Sequence, residues 1–441
     1  MAGALTERAD TLSWGRYPRA RQTVIRCHDR HAALPAIACS LLPYGNGRSY
    51  GDSCLNDGGA LLQARGLDRF IAFDPQTGVL RCEAGVLLSE ILELVVPQGW
   101  FLPVTPGTQF VTVGGAIAND VHGKNHHRAG TFGAQVRGFE LLRSDGSRRR
   151  CSPTENPDWF AATVGGLGLT GLITWAEIQL RRIANPWIAS ETIRFGDLAE
   201  FFAVSAASDR DYEYTVAWLD CAARGAALGR GLFMRGNHAP ALCATQPRAP
   251  ARRLSVPFAP PFSLINPWSL KAFNTLYYHR QWGKITRGIA HYAPFFYPLD
   301  SVLAWNRIYG RRGFLQYQCA IPPAHGHAAI RELLERITHS GMGSFLAVLK
   351  IFGEIPAAGW LSFPRPGVTL ALDFPNQGAV TFKLLESLDA VVAAAGGAVY
   401  PAKDARMSGA RFREFFPQWQ RFSAYIDPRF SSGFWRRVMV D

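Results

Sequence analysis

The segment that most constrains the fold of this chain is Thr105 to Gly133, TPGTQFVTVGGAIANDVHGKNHHRAGTFG. It contains six glycines and three histidines, and its one acidic residue is Asp120. Glycines at this density indicate that the backbone approaches another group closely or adopts positive φ angles. Because Lys124 and backbone N–H groups suit phosphates, we expect an anionic ligand here. A long irregular loop without a ligand is the alternative, although such loops are uncommon inside compact domains.

A second glycine-rich segment, Leu41 to Gly59, has G-x-G-x-x-x-G spacing from Gly45 to Gly51. No amphipathic helix follows it, as a dinucleotide-binding β-α-β unit would require. Residues 166–171 do match G-x-G-x-x-G, but the next segment, LITWAEIQL, alternates as a strand does. We therefore predict no Rossmann unit, while loop contacts to a pyrophosphate stay open.

Composition sets the outer bounds. With 441 residues, 48% of them apolar, the chain can form two or three globular domains. The net charge of +13 favours an anionic partner, which could be nucleic acid, a membrane surface or a phosphorylated substrate. Eight scattered cysteines predict reduced thiols in a reducing compartment. We find neither a signal-peptide pattern nor a run of about 18 apolar residues, which predicts a cytoplasmic protein without a transmembrane helix.

Residues 314–400 show the clearest periodicity and predict an α+β fold. The strands are FLQYQCAIP, SFLAVLKIF, GVTLALDF and AVYPAKD, and the helices cover 328–340 and 379–395. The order β-α-β-β-α-β is the split β-α-β pattern, an antiparallel sheet with helices on one face. Earlier in the chain we predict a strand at 80–83, a helix at 86–96 ended by Gly99, a domain boundary at 184–186 and a strand at 214–220.

Side-chain alternation separates the two faces of this sheet. In GVTLALDF, Leu370, Leu372 and Phe374 share the face that meets the helices. Thr369, Ala371 and Asp373 share the other face. Lys350 is expected to end its strand. A merely solvated face is the alternative to an open surface that could bind a substrate. The residues expected to line this open face are Gln316, Gln318, Lys350, Thr369 and Ala371.

Two further features leave alternatives open. Residues 237–298 mix proline, aromatic and basic residues, a composition typical of surfaces that bind single-stranded nucleic acid or lipid headgroups. A packed insertion without a partner is equally consistent with it. The histidines 122, 126 and 127 form H-x-x-x-H-H, but the segment has few acidic residues and no regular helix sets their spacing. We therefore predict no metal site.

Several motifs together resemble a known family. They are YGNGRSYGD (44–52), the glycine-rich segment 106–133, YPLDSVLAWNRIYGRRGFLQYQ (297–318), LSFPRPGVTLALDFP (361–375) and YPAKDAR (400–406). This set resembles the FAD oxidases of the vanillyl-alcohol-oxidase type, and within them the decaprenylphosphoryl-β-D-ribose 2′-oxidases. The resemblance implies an FAD-binding domain at 1–183, completed by a returning segment at 398–441, and an inserted substrate domain at 184–397.

The resemblance also implies cofactor contacts from the two glycine-rich loops. Many members of the superfamily tether the flavin through a histidine of the first loop. Here we take the matching position as Asp52, so we expect non-covalent FAD. The cofactor-binding residues are expected to be Gly45, Asn46, Gly47, Arg48, Ser49, Tyr50, Gly107, Thr108, Thr112, Gly114, Gly115, Ala118, His122, Lys124, Gly171, Ile173 and Tyr400.

For catalysis, the resemblance implies hydride transfer from a carbinol carbon to the flavin while a base takes the hydroxyl proton. Lys403 matches the family's active-site lysine, and Tyr400 and His122 are expected beside it. The substrate-binding residues are expected to be Gln316, Gln318, Lys350, Thr369 and Lys403. Mycobacterial members carry a cysteine where this chain has Ala371, so inhibitors that attack that cysteine should fail here.

The implied reaction is FAD-dependent oxidation of a secondary hydroxyl on a lipid-phosphate-linked sugar. In the related pathway it is the first half of an epimerisation that yields an arabinan precursor for the cell wall. A short-chain dehydrogenase partner and peripheral contact with a membrane are further expectations. An oxidase of a soluble sugar or aldonolactone is one alternative. A basic nucleic-acid-binding protein is another, but we expect no nucleic-acid partner.

Overall fold

A computed structural model describes residues 11–240 and 254–440. Cys243 and the part of the aromatic and basic segment at 241–253 lie outside the described residues. The seven cysteines within them are free thiols. None of the helices found in these two ranges is long and apolar enough to cross a membrane.

The first part of the chain contains ten short strands and four helices among its described residues. The strands are β1 (Thr23–Arg26), β2 (Leu41–Tyr44), β3 (Ala60–Gln63), β4 (Phe70–Asp74), β5 (Val79–Glu83), β6 (Trp100–Phe101), β7 (Val136–Leu142), β8 (Arg148–Cys151), β9 (Leu172–Gln179) and β10 (Arg181–Arg182). The helices are α1 (Leu88–Val95), α2 (Val113–Ala118), α3 (His126–Ala129) and α4 (Pro157–Thr163).

Two sheets organise this part. β1, β3 and β2 form a parallel sheet with β3 in the centre, and β4-β5-β9-β7-β8 form an antiparallel sheet. The predicted strand at 80–83 and the strand after residue 171 are confirmed as β5 and β9. The predicted helix at 86–96 is shorter, because Glu90 caps the N–H of Leu87 at 2.8 Å and α1 begins only at Leu88. Gly99 ends the region with a φ of +79°, as predicted.

The second part contains the remaining elements described. The strands are β11 (Trp187–Phe195), β12 (Tyr214–Leu219), β13 (Gly231–His238), β14 (Leu254–Ser255), β15 (Ile285–His291), β16 (Val302–Leu303), β17 (Phe314–Ile321), β18 (Val348–Phe352), β19 (Gly367–Pro375) and β20 (Ala398–Val399). The helices are α5 (Leu198–Asp209), α6 (Pro267–His279), α7 (Tyr292–Phe296), α8 (Pro323–Ser340), α9 (Ala379–Ala394), α10 (Gly409–Phe415), α11 (Trp419–Ser423) and α12 (Gly433–Met439).

The large sheet consists of two copies of one unit. Its order is β15-β11-β13-β12-β18-β19-β17-β20, and all its pairs are antiparallel. The predicted unit supplies β17, α8, β18, β19, α9 and β20, which confirms the β-α-β-β-α-β order. The chain before it repeats that order as β11, α5, β12, β13, α6 and β15. The two units join where β12 pairs with β18, a doubling that the sequence analysis did not predict.

Three boundaries predicted for the β-α-β-β-α-β unit of residues 314–400 were wrong. α8 begins at Pro323 rather than at 328, because proline is favoured in the first turn of a helix. β18 covers Val348–Phe352, so Lys350 lies in mid-strand and does not end it. The last strand is only Ala398–Val399, because Pro401 has no N–H for the ladder and starts the 3-10 turn Pro401–Lys403. The turn places Lys403 beside the sheet rather than in it.

The end of the chain returns to the first glycine-rich loop. α12 packs on the 3-10 turn Asp52–Cys54, and Arg437 bonds to the carboxylates of both Asp52 and Asp404 at 2.7 and 2.9 Å. The division at 183 and 397 stays a prediction. β20 begins at Ala398, one residue beyond the predicted end of the substrate domain, yet pairs within the large sheet through Cys319 and Ala320.

Candidate active site

One large cavity, of about 350 Å³, lies between the glycine-rich loops and the polar face of the large sheet. The strand alternation predicted this face correctly, since Leu370, Leu372 and Phe374 are buried against the helices. The face is not open, however. The loop that carries His122 closes over it, and Thr369 and Lys350 are buried.

The structure brings every predicted site residue to the wall of this cavity. They are Gly45, Asn46, Gly47, Arg48, Ser49, Tyr50, Gly107, Thr108, Thr112, Gly114, Gly115, Ala118, His122, Lys124, Gly171, Ile173, Gln316, Gln318, Lys350, Thr369, Tyr400 and Lys403. Their roles toward a cofactor or a substrate stay predictions.

The first loop leaves β2 and turns through Gly47, whose φ of +59° favours glycine. A Cβ at Gly45 would overlap the Oγ1 atom of Thr112, so the two loops approach too closely there for any other residue. Asn46 ties the loops together by donating from Nδ2 to the carbonyl of Phe110 at 2.7 Å. The guanidinium of Arg48 lies 4.0 Å from the centre of the Trp14 ring.

The second loop leads into α2, whose first turn borders the cavity. Thr112 caps this helix, and its Oγ1 accepts from the N–H of Gly115 at 3.2 Å. A Cβ at Gly114 would lie 3.1 Å from the Cβ of Ala84, so glycine allows the helix to pack on the strand beneath. Gly107 differs, because a Cβ there would meet no protein atom within 4 Å. Its free space belongs to the cavity.

His122 joins the second loop to the sheet. Its Nδ1 atom lies 2.8 Å from Nζ of Lys350, and its Nε2 atom lies 2.9 Å from Nε2 of Gln318. Burial, and then the nearby charge of Lys350, hold the pKa of His122 well below its usual value, so the imidazole is neutral. Lys350 also donates to the carbonyl of Gly123 at 2.9 Å. Two loop residues therefore fix the ammonium of Lys350 at the sheet.

Lys403 approaches the cavity from the opposite side. Its ammonium lies 3.9 Å from the centre of the Tyr50 ring, a cation–π contact. Tyr400 stacks on Phe363 with a centroid distance of 4.5 Å and donates its hydroxyl to the carbonyl of Asn119 at 2.6 Å. The short turn that contains Lys403 is thereby anchored to the second loop.

Three of the six lysines in the sequence line this one cavity. Burial lowers the pKa of Lys124 and of Lys403 to about 8 each, and holds that of Lys350 well below its usual value. Mutual repulsion lowers the pKa of Lys350 further. A site that concentrates cations in this way is suited to an anionic ligand. Together with the glycine loops and the free space at Gly107, the residues present fit FAD.

Some predicted features lie elsewhere. Asp52 does not line the cavity, because Arg437 holds its carboxylate; its match to the tether position of the family stays a prediction. His126 accepts the N–H of Gly353 at 3.2 Å, and His127 contacts the carbonyl of Tyr212 at 3.0 Å. Within the described ranges, no group of three or more His, Cys, Asp or Glu could hold a metal ion.

Sequence reasoning missed part of the wall. Trp14 and the segment 296–305 contribute to the cavity, yet only Gln316 and Gln318 had been assigned within the quoted motif 297–318. Pro298 and Leu303 are exposed and also line the cavity, so the cavity opens to the surface at this segment. The apolar composition of LDSVLAW was the available signal.

Comparison with known proteins identifies the family. Residues 29–152 match the family described as "FAD binding domain". The decaprenylphosphoryl-β-D-ribose oxidase of Mycolicibacterium smegmatis is 35% identical over 451 aligned residues, which cover 97% of each chain. This chain belongs to the decaprenylphosphoryl-β-D-ribose oxidase family. It is therefore an FAD-linked oxidoreductase with an α+β fold.

Two other relatives match over smaller shares. An uncharacterized protein from Streptomyces coelicolor is 36% identical over 380 residues, 80% of this chain and all of that protein. The human Delta(24)-sterol reductase is 35% identical over 107 residues, 24% of this chain and 21% of the reductase.

Gly107→Val tests whether the free space at Gly107 is cofactor space. A Cβ at Gly107 meets no protein atom within 4 Å, so the fold should persist, whereas FAD should bind on the order of tenfold more weakly or worse, about 1.4 kcal/mol. The measurement is the FAD content and thermal stability of the purified protein. Gly288→Val is the control, because Gly288 also has open space but lies on exposed β15. Full FAD retention in Gly107→Val would contradict the assignment.

Proposed function

We propose that this chain oxidises a secondary hydroxyl of a ribose that is linked through phosphate to a polyprenyl lipid, with FAD held non-covalently in the cavity. One observation carries the proposal: a single cavity joins a lysine-rich inner wall to an apolar opening. The inner wall has Lys124, Lys350 and Lys403, and the opening has Leu299 and Leu303. The relative from M. smegmatis is named for a ribose joined to a prenyl lipid through phosphate, a substrate with both polarities.

Lys403 is assigned to the proton of the hydroxyl. An amine can accept a proton only in its neutral form, and burial lowers the pKa of Lys403 to about 8, so a neutral fraction exists near physiological pH. Bound FAD supplies the acceptor for the hydride that leaves the carbinol carbon. The carbon thus loses a hydride, the oxygen loses a proton, and the product is a ketone.

Lys350, His122 and Gln318 are assigned to holding the sugar. Gln318 donates to Oγ1 of Thr369 at 3.3 Å and contacts His122, so these polar groups form a connected row along the sheet. Rigid rows of this kind orient a substrate because their rotamers are fixed before it binds. Gln316 extends the row toward Tyr50.

The surface around the opening supports contact with a membrane. Of the 15 exposed large apolar residues that the structure describes, 11 lie between Leu254 and Leu303. Helix α6 packs inward through Leu270, whereas Trp268 is 84% exposed on it, and Trp282 is 91% exposed just beyond it. Trp side chains beside basic residues are typical of proteins that lie on lipid headgroups.

The basic residues of this surface complement an anionic membrane. Lys271 and Arg280 are exposed on and after α6. This surface, 254–303, also contains the opening of the cavity, so a lipid substrate could pass from the bilayer to the inner wall without crossing water. We place the protein peripherally at the cytoplasmic face. A short-chain dehydrogenase is the proposed partner that reduces the ketone.

Anaerobic mixing tests the substrate class. Polyprenyl-phosphoryl ribose should bleach the flavin absorbance, whereas free ribose, aldonolactones and a lipid phosphate without sugar should not, because only the complete substrate reaches both ends of the cavity. Bleaching by free sugars or lactones alone would instead favour an oxidase of soluble substrates.

Lys403→Ala tests the assigned base. The variant should keep bound FAD, but flavin reduction should slow by about 10²-fold or more. In the wild-type protein the reduction rate should rise as pH increases through about 8, since deprotonation activates the amine. Lys383→Ala, at an exposed position of α9, should behave as wild type. Stopped-flow absorbance measures flavin reduction in the wild-type protein and in both variants. Unimpaired reduction in Lys403→Ala would contradict the role of Lys403 as the base.

The protein surface 254–303 is expected to bind vesicles of phosphatidylcholine and phosphatidylglycerol. Trp268→Ser combined with Trp282→Ser should weaken cosedimentation at least about tenfold, because burial of each large apolar side chain contributes about 1.5–3 kcal/mol. Phe70→Ser is the control, since Phe70 is exposed on β4 in the first part of the chain. Equal binding by the double variant and wild type would exclude this surface.

A further inference from the structure

A buried carboxylate lies behind the cavity and has no role in the chemistry described so far. Asp373 is fully buried on β19, on the same face as Thr369 and Ala371. Its Oδ1 accepts from Nε2 of Gln316 at 2.7 Å, but its Oδ2 has no hydrogen-bond partner among the described residues. Burying a carboxylate oxygen without a partner is costly unless a nearby charge or a proton compensates.

A short chain of side chains connects this carboxylate to Lys403. Gln316 lies directly opposite Asp373 in the β17–β19 ladder, and Tyr50 packs on the same strand through the ring of Phe314 at a centroid distance of 5.4 Å. The ring of Tyr50 in turn lies under the ammonium of Lys403 at 3.9 Å. Gln316 and Tyr50 therefore separate the carboxylate from the amine, and both also line the cavity.

Asp373 and Lys403 each shift the pKa of the other. Burial raises the pKa of Asp373 to about 7, and the charge of Lys403 opposes that rise. Burial lowers the pKa of Lys403 to about 8, and the charge of Asp373 opposes that fall. The other titratable groups facing the pair are the phenols of Tyr50 and Tyr309 beside Asp373, and Lys350 and His122 on the side of Lys403.

We propose that Asp373 is a positioning residue whose charge, acting across Gln316 and Tyr50, holds the proton on the amine of Lys403, and so sets the pH range in which the site accepts a hydroxyl proton. Without Asp373, burial of the Lys403 amine and the nearby charge of Lys350 would act on it, and both favour its neutral form. The carboxylate keeps Lys403 cationic until a higher pH. Its importance for turnover rests on the proposed role of Lys403, but its effect on the amine does not.

The lysine titration can be measured without substrate. The chain has six lysines, so selective labelling with ε-¹³C-lysine gives a small set of NMR signals. The signal lost in Lys403→Arg identifies Lys403. In Asp373→Asn, with FAD bound, the midpoint of Lys403 should fall by about one pH unit, the size expected on removing one nearby opposite charge. The reduction rate should then rise at correspondingly lower pH.

Asp220→Asn is the matched control. Asp220, directly after β12, is also a buried carboxylate, but it pairs with Arg230 at 2.7 Å and does not line the cavity, so its variant should leave the Lys403 midpoint unchanged. An unchanged or higher midpoint in Asp373→Asn would overturn the proposal. If the midpoint falls but no substrate reduces the flavin, the coupling stands and the proposed function fails.

A second measurement covers the case in which Asp373→Asn does not fold. In the wild-type protein, the Lys403 signal should show two inflections, one near pH 7 from Asp373 and one near pH 8 from the amine, because coupled groups titrate as a pair. A single inflection would mean that the carboxylate does not act on the amine.

Discussion

The ammonium of Lys350, bound between Nδ1 of His122 and the carbonyl of Gly123, is the contact on which the site depends. It joins a glycine-rich loop of the first part of the chain to the middle strand pairs of the large sheet. Because Lys350 is buried beside other cations, the pair of loop acceptors has to compensate part of the cost of burying its charge. The closure of the second loop over the sheet follows from that contact, and the amines gathered there suit an anionic ligand.

The same cavity combines a cationic inner end with an apolar opening. Its inner end concentrates lysines, which suit phosphate and a flavin, whereas its opening is apolar and continues into an exposed surface that carries Trp268 and Trp282. A soluble sugar needs only the inner end. A lipid-linked sugar would use both, which agrees with the proposed contact between the surface 254–303 and a membrane.

Much of this could be predicted from the sequence. Alternation in GVTLALDF placed Thr369 and Ala371 on the right face, and glycine density located both loops. The doubled sheet could not be predicted, because β15 is exposed along most of its length and α5 spreads its apolar residues around the helix, so neither shows a clear period. The alternation placed Asp373 on the correct face but gave it no role. Its neighbours become visible only in the structure, where Gln316 lies opposite it in the sheet and the first loop brings Tyr50 to the same place.

Acid denaturation of the purified protein tests most directly whether the two loops and the sheet hold FAD without a covalent bond. The first loop, 44–52, offers no histidine for a tether, and it faces the cavity with glycines and Arg48. About one FAD per chain should be released into the supernatant. Flavin that stays with the precipitated chain, or a protein that contains no flavin and takes none up, would contradict it.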